Sequence, residues 1–283
     1  MIIIDKKDYQ ERKEHRIEVI NLLNKFLDRP NIDNLRALCN ALWAFGIYKD
    51  KDWLLKERIL KNNKPEQLAN LFKKKLLNDK LTLKDRVDNV TIPGFGKSSL
   101  TEILYSQNPD KYPIYNKRAL DALRKLGIPI KSKIEYSDYI KILEKIVDDL
   151  DYVRNENSRT IGEEIPRFEF IDYVLNGIYE GKISIEEINR ARFIKRKIDE
   201  ATLNYAIGSI QGAIKQYFYW IEKGVPEEKA IDRAINYALG VISASGVLSN
   251  KDTLEKFEYA LSSMSELSKG ILSLIKDLKK NIK

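Results

Sequence analysis

Apolar residues along this chain recur at intervals of three and four nearly throughout, which is the spacing of amphipathic helices rather than strands. Ile17, Ile20, Leu23 and Leu27 mark a first helix over Tyr9–Leu27, and Pro30 ends it. The pattern resumes over Ile32–Phe45, where Trp43 reads as a core residue, and continues over Asp52–Leu60 and Pro65–Leu77. Pro65 suits a first helical turn, because the N–H it lacks would be unpaired there anyway. Leu83, Val87 and Val90 carry the spacing through Leu81–Val90, and Leu100, Ile103 and Leu104 carry it beyond residue 96. Lys117–Gly127, with a glycine stop, Ser137–Leu150 and Phe168–Tyr179 follow, while the polar Asn155–Thr160 reads as an exposed connection. The expectation is an all-α fold with short loops between packed helices.

After Gly181 the pattern changes. Ile185–Glu222 is one long helical stretch, with Gly208 and Gly212 as the places where it could break. Gly224-Val225-Pro226-Glu227 stops it, Pro226–Ser243 restarts it, and Lys251–Lys280 forms the last predicted helix. Two domains are therefore expected, residues 1–184 and residues 185–283, the second a helical hairpin or three-helix bundle. Its small residues, among them Gly208, Gly212, Ala213, Ala238 and Gly240, permit close packing within the bundle or between two copies. The expected role of residues 185–283 is accessory, either homo-oligomerisation or the holding of a protein partner.

One break between helical patterns carries chemistry. Thr91-Ile92-Pro93-Gly94-Phe95-Gly96-Lys97-Ser98 places two glycines one residue apart, just before a helix. Glycine tolerates positive φ and lets the backbone approach a ligand closely. The N–H groups of Gly96, Lys97 and Ser98 would lie at the helix N-terminus, where unpaired donors and the helix dipole favour an anion. A nucleotide fits poorly: the first glycine of a P-loop would fall at Thr91, and Asp85-Arg86-Val87-Asp88-Asn89 is too polar for the strand such a loop follows.

Charge points to a polyanion instead. The 283 residues carry a net charge of +8, and the surplus is local. Between Leu55 and Glu135 there are 18 Lys and Arg against 9 Asp and Glu, which leaves the rest of the chain almost neutral. Lys84, Arg86, Lys97, Lys117 and Arg118 are the leading candidates for phosphate contacts, with Lys73-Lys74-Lys75 and Lys111 nearby. Tyr105, Tyr112 and Tyr115 lie in the same region as stacking or packing residues.

Downstream of the turn, Tyr112-Pro113-Ile114-Tyr115-Asn116 opens the Lys117–Gly127 helix. Together, residues 92–127 resemble the core of the helix-hairpin-helix base-excision DNA glycosylases, and a looser helical likeness extends over about residues 15–185. The resemblance implies a glycosylase-like helical domain that grips one DNA backbone through Gly94, Gly96, Lys97 and Ser98, with a place in DNA repair. It also implies a catalytic Asp where this chain has Asn116, and a Schiff-base Lys where it has Ser98. An amide lacks the charge needed to stabilise a cationic sugar. Asn116 and Lys117 are thus the catalytic candidates that remain, and DNA binding is implied more strongly than base excision.

Other chemistries find little to build on. The iron–sulfur cluster of some glycosylases needs four cysteines, and Cys39 is the only one. His15 is the only histidine, and beside Glu14 and Arg16 it reads as an exposed helix residue; Glu102 and Asp121 likewise read as surface charges. No metal or cofactor is expected. The initial Ile2-Ile3-Ile4 run stops at Asp5, short of a signal sequence, and no stretch reads as a membrane span, so the expected compartment is cytoplasmic. Abundant Lys, Ile and Glu resemble a thermophile's composition. Three functions stay open: a non-sequence-specific binder of duplex, damaged or branched DNA; an active glycosylase or lyase with altered catalytic residues; and a structural or defence-associated helical protein.

Overall fold

The computed structural model describes residues 2–245, apart from 62 and 132, together with Phe257. All regular secondary structure among the described residues is helical. Helix α1 (Lys6–Asp28) starts where the Asp5 side chain accepts from the N–H groups of Lys7 and Asp8. Helix α2 (Ile32–Ala41) is capped in the same way by Asn31, and a short 3₁₀ turn covers Trp43–Phe45. Helix α3 (Lys51–Leu54) runs into a wider turn at Leu55–Ile59, and α4 (Pro65–Leu71) into another at Phe72–Leu76. A third wide turn spans Lys84–Asp88. Helices α5 (Lys97–Gln107), α6 (Lys117–Lys125), α7 (Tyr136–Ile161), α8 (Arg167–Glu180), α9 (Ile185–Glu222) and α10 (Glu227–Ser245) follow.

The three wide turns are π-helical, closed by i→i+5 bonds from Leu60 N to Leu55 O, Leu77 N to Phe72 O and Asn89 N to Lys84 O at 2.8–2.9 Å. Such turns are rare and recur at functional sites. Here all three lie on the approach to the residue 91–98 turn. A 3.6-residue pattern predicts the helices but not the extra residue per turn.

Asn155–Thr160 is not a connection but part of the last turns of α7, although Asn155, Glu156, Arg159 and Thr160 are exposed as expected. The reason is Asn157, a buried residue whose Nδ2 donates to Ile2 O (3.0 Å) and whose Oδ1 accepts from Ile4 N (2.7 Å). These bonds tie the buried Ile2 and Ile4 to the helix. Gly162, at φ +92°, then ends it.

The chain divides into two compact units, residues 1–192 and 193–283, where the sequence placed its boundary at 184/185. The first unit holds one continuous core from Ile2 to Ala191. Helix α9 is unbroken at Gly208 and Gly212. In the second unit Ala206, Ile210 and Ala213 pack with Ala234, Ala238, Ile242 and Phe257. Of the small residues on these two helices, Ala213 and Ala238 pack inside the unit, whereas Gly208 and Gly240 are exposed with open space around them. The helix expected over Lys251–Lys280 lies, Phe257 excepted, outside the described residues.

Candidate functional site

The turn before α5 is a tight hairpin. Phe95 N donates to Ile92 O (3.0 Å), and Gly94 takes φ +77°. A Cβ on Gly94 would stand 2.2 Å from Ile59 Cγ1, so the hairpin is seated directly on the π turn that ends α3. Phe95 points inward, with ring centroids 5.3 Å from Phe45 and 5.1 Å from Phe72. The apolar residue at the tip is thus an anchor, while Gly94 and Gly96 stay exposed.

Gly96 is the N-cap of α5 and supplies no side chain to its first-turn amides. A Cβ at Gly96 would meet nothing within 4 Å. Ser98 is half-buried in that first turn, behind the exposed glycine. Amide donors, an exposed backbone and the positive end of an eleven-residue helix therefore coincide here.

The basic candidates divide into two groups. Lys97 does not project freely, because its Nζ is held by Asp88, donates to Ile134 O (2.9 Å) and lies 4.8 Å from the centre of the Tyr115 ring. Arg86 is 3% exposed and donates to Leu76 O, Asp79 Oδ1 and Tyr112 Oη at 2.7, 2.7 and 3.0 Å. Both cations thus hold the hairpin's surroundings together. Lys84 is exposed but paired with Glu135 (2.6 Å). Arg118 is exposed, 3.8 Å from Glu180, and Lys117 is exposed beside it. Arg58, Lys61, Lys64, Lys74 and Lys75 are exposed, with no carboxylate of the described residues within salt-bridge distance.

Asn116 is the N-cap of α6, its Oδ1 accepting from Ala119 N at 2.8 Å. Its carboxamide therefore has a structural partner. Tyr115 N donates to Thr101 Oγ1 (3.0 Å), and Tyr139 Oη donates to Ile114 O (2.9 Å), so the loop into α6 is tied to α5 and α7. Tyr105 and Tyr112 are buried.

Exposed aromatic surface lies elsewhere. Trp53, 45% exposed, lines a cleft with Glu57, Arg58, Lys61, Asn63 and the hairpin residue Pro93. The Arg58 guanidinium sits 5.7 Å from the centre of its ring. Trp53 is not conspicuous in the sequence, because it lies in an amphipathic helix with no turn or motif of its own. Its position three residues before Lys56-Glu57-Arg58 is the available signal.

A second polar cluster, also missed from sequence, lies between α1, α5 and α8. His15 is not exposed: its side chain is 9% accessible, its Nε2 is 3.0 Å from Glu102 Oε1, and its ring stacks on Trp43 at 3.7 Å. Glu102 is buried rather than on the surface and accepts from Trp43 N and Ala44 N (2.7 and 2.9 Å). Trp43, expected in the core, is 44% exposed on the outer side of that stack. Asp121 is half-buried and paired with Arg124 at 2.6 Å.

Beyond Glu102, Arg12 meets Asp172 at 2.6 Å, and Arg16 Nη2 is 2.6 Å from Glu169 Oε2 without hydrogen-bond alignment. Among the described residues, the buried side-chain atoms with no hydrogen-bonding protein partner are Arg12 Nε, Arg16 Nε, Tyr105 Oη and both Glu169 oxygens. Burial pushes the Glu169 carboxyl up to about 7, against the pull of Arg16 and Arg12. It also raises Asp172 from its ordinary value, against the pull of Arg12, and Tyr105 well above that of a phenol.

No group of three or more His, Cys, Asp or Glu among the described residues could hold a metal ion, and no described helix is long and apolar enough to cross a membrane. No protein-family model, curated protein or solved structure matches this chain.

Proposed function

We propose that residues 1–192 bind DNA by its phosphate backbone, without reading sequence, in the manner of a helix-hairpin-helix protein. The observation that carries this reading is the hairpin itself: Gly94 and Gly96 are exposed, and the first-turn amides of α5 have no side-chain cap at a position where a Cβ would meet nothing. Arg58 and Lys61 in the adjoining cleft, with Lys64 at the start of α4 and Lys74 and Lys75 in the π turn that ends it, supply the positive field. Lys97 and Arg86 act indirectly in this reading, by holding the hairpin's base.

The reading is of a binder rather than a base-excision enzyme. Asn116 caps a helix and Lys117 stands at the surface, so neither is set up as a nucleophile or as a charge beside a sugar. Residues 193–283 remain the proposed accessory part, holding a second copy or a protein partner.

The test is binding to a duplex of arbitrary sequence, followed by fluorescence anisotropy across a salt series. Log K should fall by about 0.9 per tenfold salt for every phosphate neutralised, alike for unrelated sequences. Lack of binding at about 50 mM salt, where several phosphate contacts should hold, would end this reading.

A further inference from the structure

The cleft beside the hairpin combines groups that a phosphate grip alone does not need. Trp53 offers an exposed indole face, Arg58 lies 5.7 Å from its centre, and Lys61 adds a second cation. Pro93 of the hairpin forms part of the same wall. The contact of Gly94 with Ile59 fixes the hairpin to the segment that carries Arg58. A chain whose backbone lies on the α5 amides would therefore pass the mouth of this cleft.

Glu57 also lines it. A carboxylate repels backbone phosphate, so it argues against a pocket for the phosphate itself. It can instead accept a hydrogen bond from the exocyclic amine of a base. Stacking on an aromatic face is the usual way in which proteins hold unpaired bases, and each stacked base contributes about 1–3 kcal/mol. Tyr105 and Tyr112 are buried and cannot serve this purpose.

From this juxtaposition we propose that Trp53, with Arg58 and Glu57, forms a subsite for one unpaired nucleobase beside the backbone held by the hairpin. The preferred ligand is then DNA with a single-stranded segment next to a duplex, rather than uniform duplex. This inference rests on the DNA-binding reading above.

The experiment compares a blunt duplex with the same duplex carrying a short single-stranded tail. Wild-type protein should bind the tailed form about 5- to 150-fold more tightly, the range that stacking one base implies. Trp53→Ala, at an exposed position, should remove that preference and leave blunt-duplex affinity within about twofold, since a double-stranded ligand has no free base to stack. In a Trp43→Phe/Trp220→Phe variant, which leaves Trp53 as the only tryptophan, the tailed DNA should quench fluorescence and the blunt duplex should not. Equal wild-type affinity for both ligands, or a preference that survives Trp53→Ala, overturns the subsite while leaving the hairpin reading intact. Failure to bind either DNA overturns both.

Discussion

His15 Nε2 lies 3.0 Å from Glu102 Oε1, and the same carboxylate accepts the backbone N–H groups of Trp43 and Ala44. One side chain from α5 thus joins α1 to the 3₁₀ turn after α2. Glu102 lies in the second turn of the helix whose N-terminus is the candidate anion site, so this junction also fixes the axis along which that N-terminus points.

Glu102→Ala should therefore be costly. It removes the acceptor of two backbone donors and leaves His15 without its partner, and an unsatisfied buried group costs about 1–3 kcal/mol. A loss of about 3 kcal/mol in urea unfolding is expected. Glu102→Gln, which keeps one carbonyl acceptor, should lose clearly less. Equal losses for the two variants would mean that packing, not hydrogen bonding, makes the junction.

The two hairpin glycines should separate stability from binding. At Gly94 a side chain meets both φ +77° and the Ile59 side chain at 2.2 Å. Gly94→Ala should cost about 2 kcal/mol or more, from strain and overpacking together. Gly96 has φ −87° and open space around its Cβ position. Gly96→Ala should lower the melting temperature by only about 2–4 °C, the cost of a poorer N-cap, yet weaken duplex binding severalfold by holding phosphate off the amides. Unaltered binding by folded Gly96→Ala would count against the α5 N-terminus as the anion site.

The difference between these glycines was only partly legible in the sequence. Pro93-Gly94-Phe95-Gly96 between two helical patterns is enough to place the hairpin and its exposed amides, because turn residues announce themselves locally. Which glycine is structurally required depends on Ile59, from a different helix, and no local pattern encodes that neighbour. Arg86 and Lys97 were legible as cations near the turn but not as buried or paired ones. Charge is written in the sequence, whereas the partners Asp79 and Asp88 are chosen by the fold. His15 follows the same rule: its polar neighbours Glu14 and Arg16 suggest an exposed face, while Arg16 itself reaches inward to Glu169. The helices were the easiest part, since burial repeats with their own period. The π turns and the extension of α7 through Asn157 were not, because each depends on contacts made far along the chain.

Arg86 should behave as a structural residue in spite of its charge. Its guanidinium bonds Leu76 O, Asp79 and Tyr112 from a nearly inaccessible position. Arg86→Ala should lower stability by about 3 kcal/mol or more, as breaking a buried charged network does. The salt dependence of DNA binding by the folded fraction should keep its slope, since no phosphate contact is lost. A slope reduced by about 1 would instead mean that Arg86 reaches the backbone.

Glu169 makes stability depend on pH. Its carboxyl titrates at about 7 in the folded protein, chiefly because it is buried, against an ordinary value of 4.5. Between those two values the folded state binds more protons than the unfolded one, so stability falls as pH rises. The protonated form's contribution is complete below about pH 4.5 and is lost as pH passes through about 7. A shift of this size corresponds to about 3 kcal/mol in all, of which about 2 kcal/mol falls above pH 5.5, seen as a lower urea midpoint at pH 8 than at pH 5.5. Glu169→Gln has no proton to lose and should flatten that difference. Arg16 and Arg12 could favour the charged carboxylate strongly enough to cancel the effect of burial. In that case wild-type and Glu169→Gln proteins would share one pH profile, and the cluster between α1, α5 and α8 would be a settled ionic network rather than a proton-binding one.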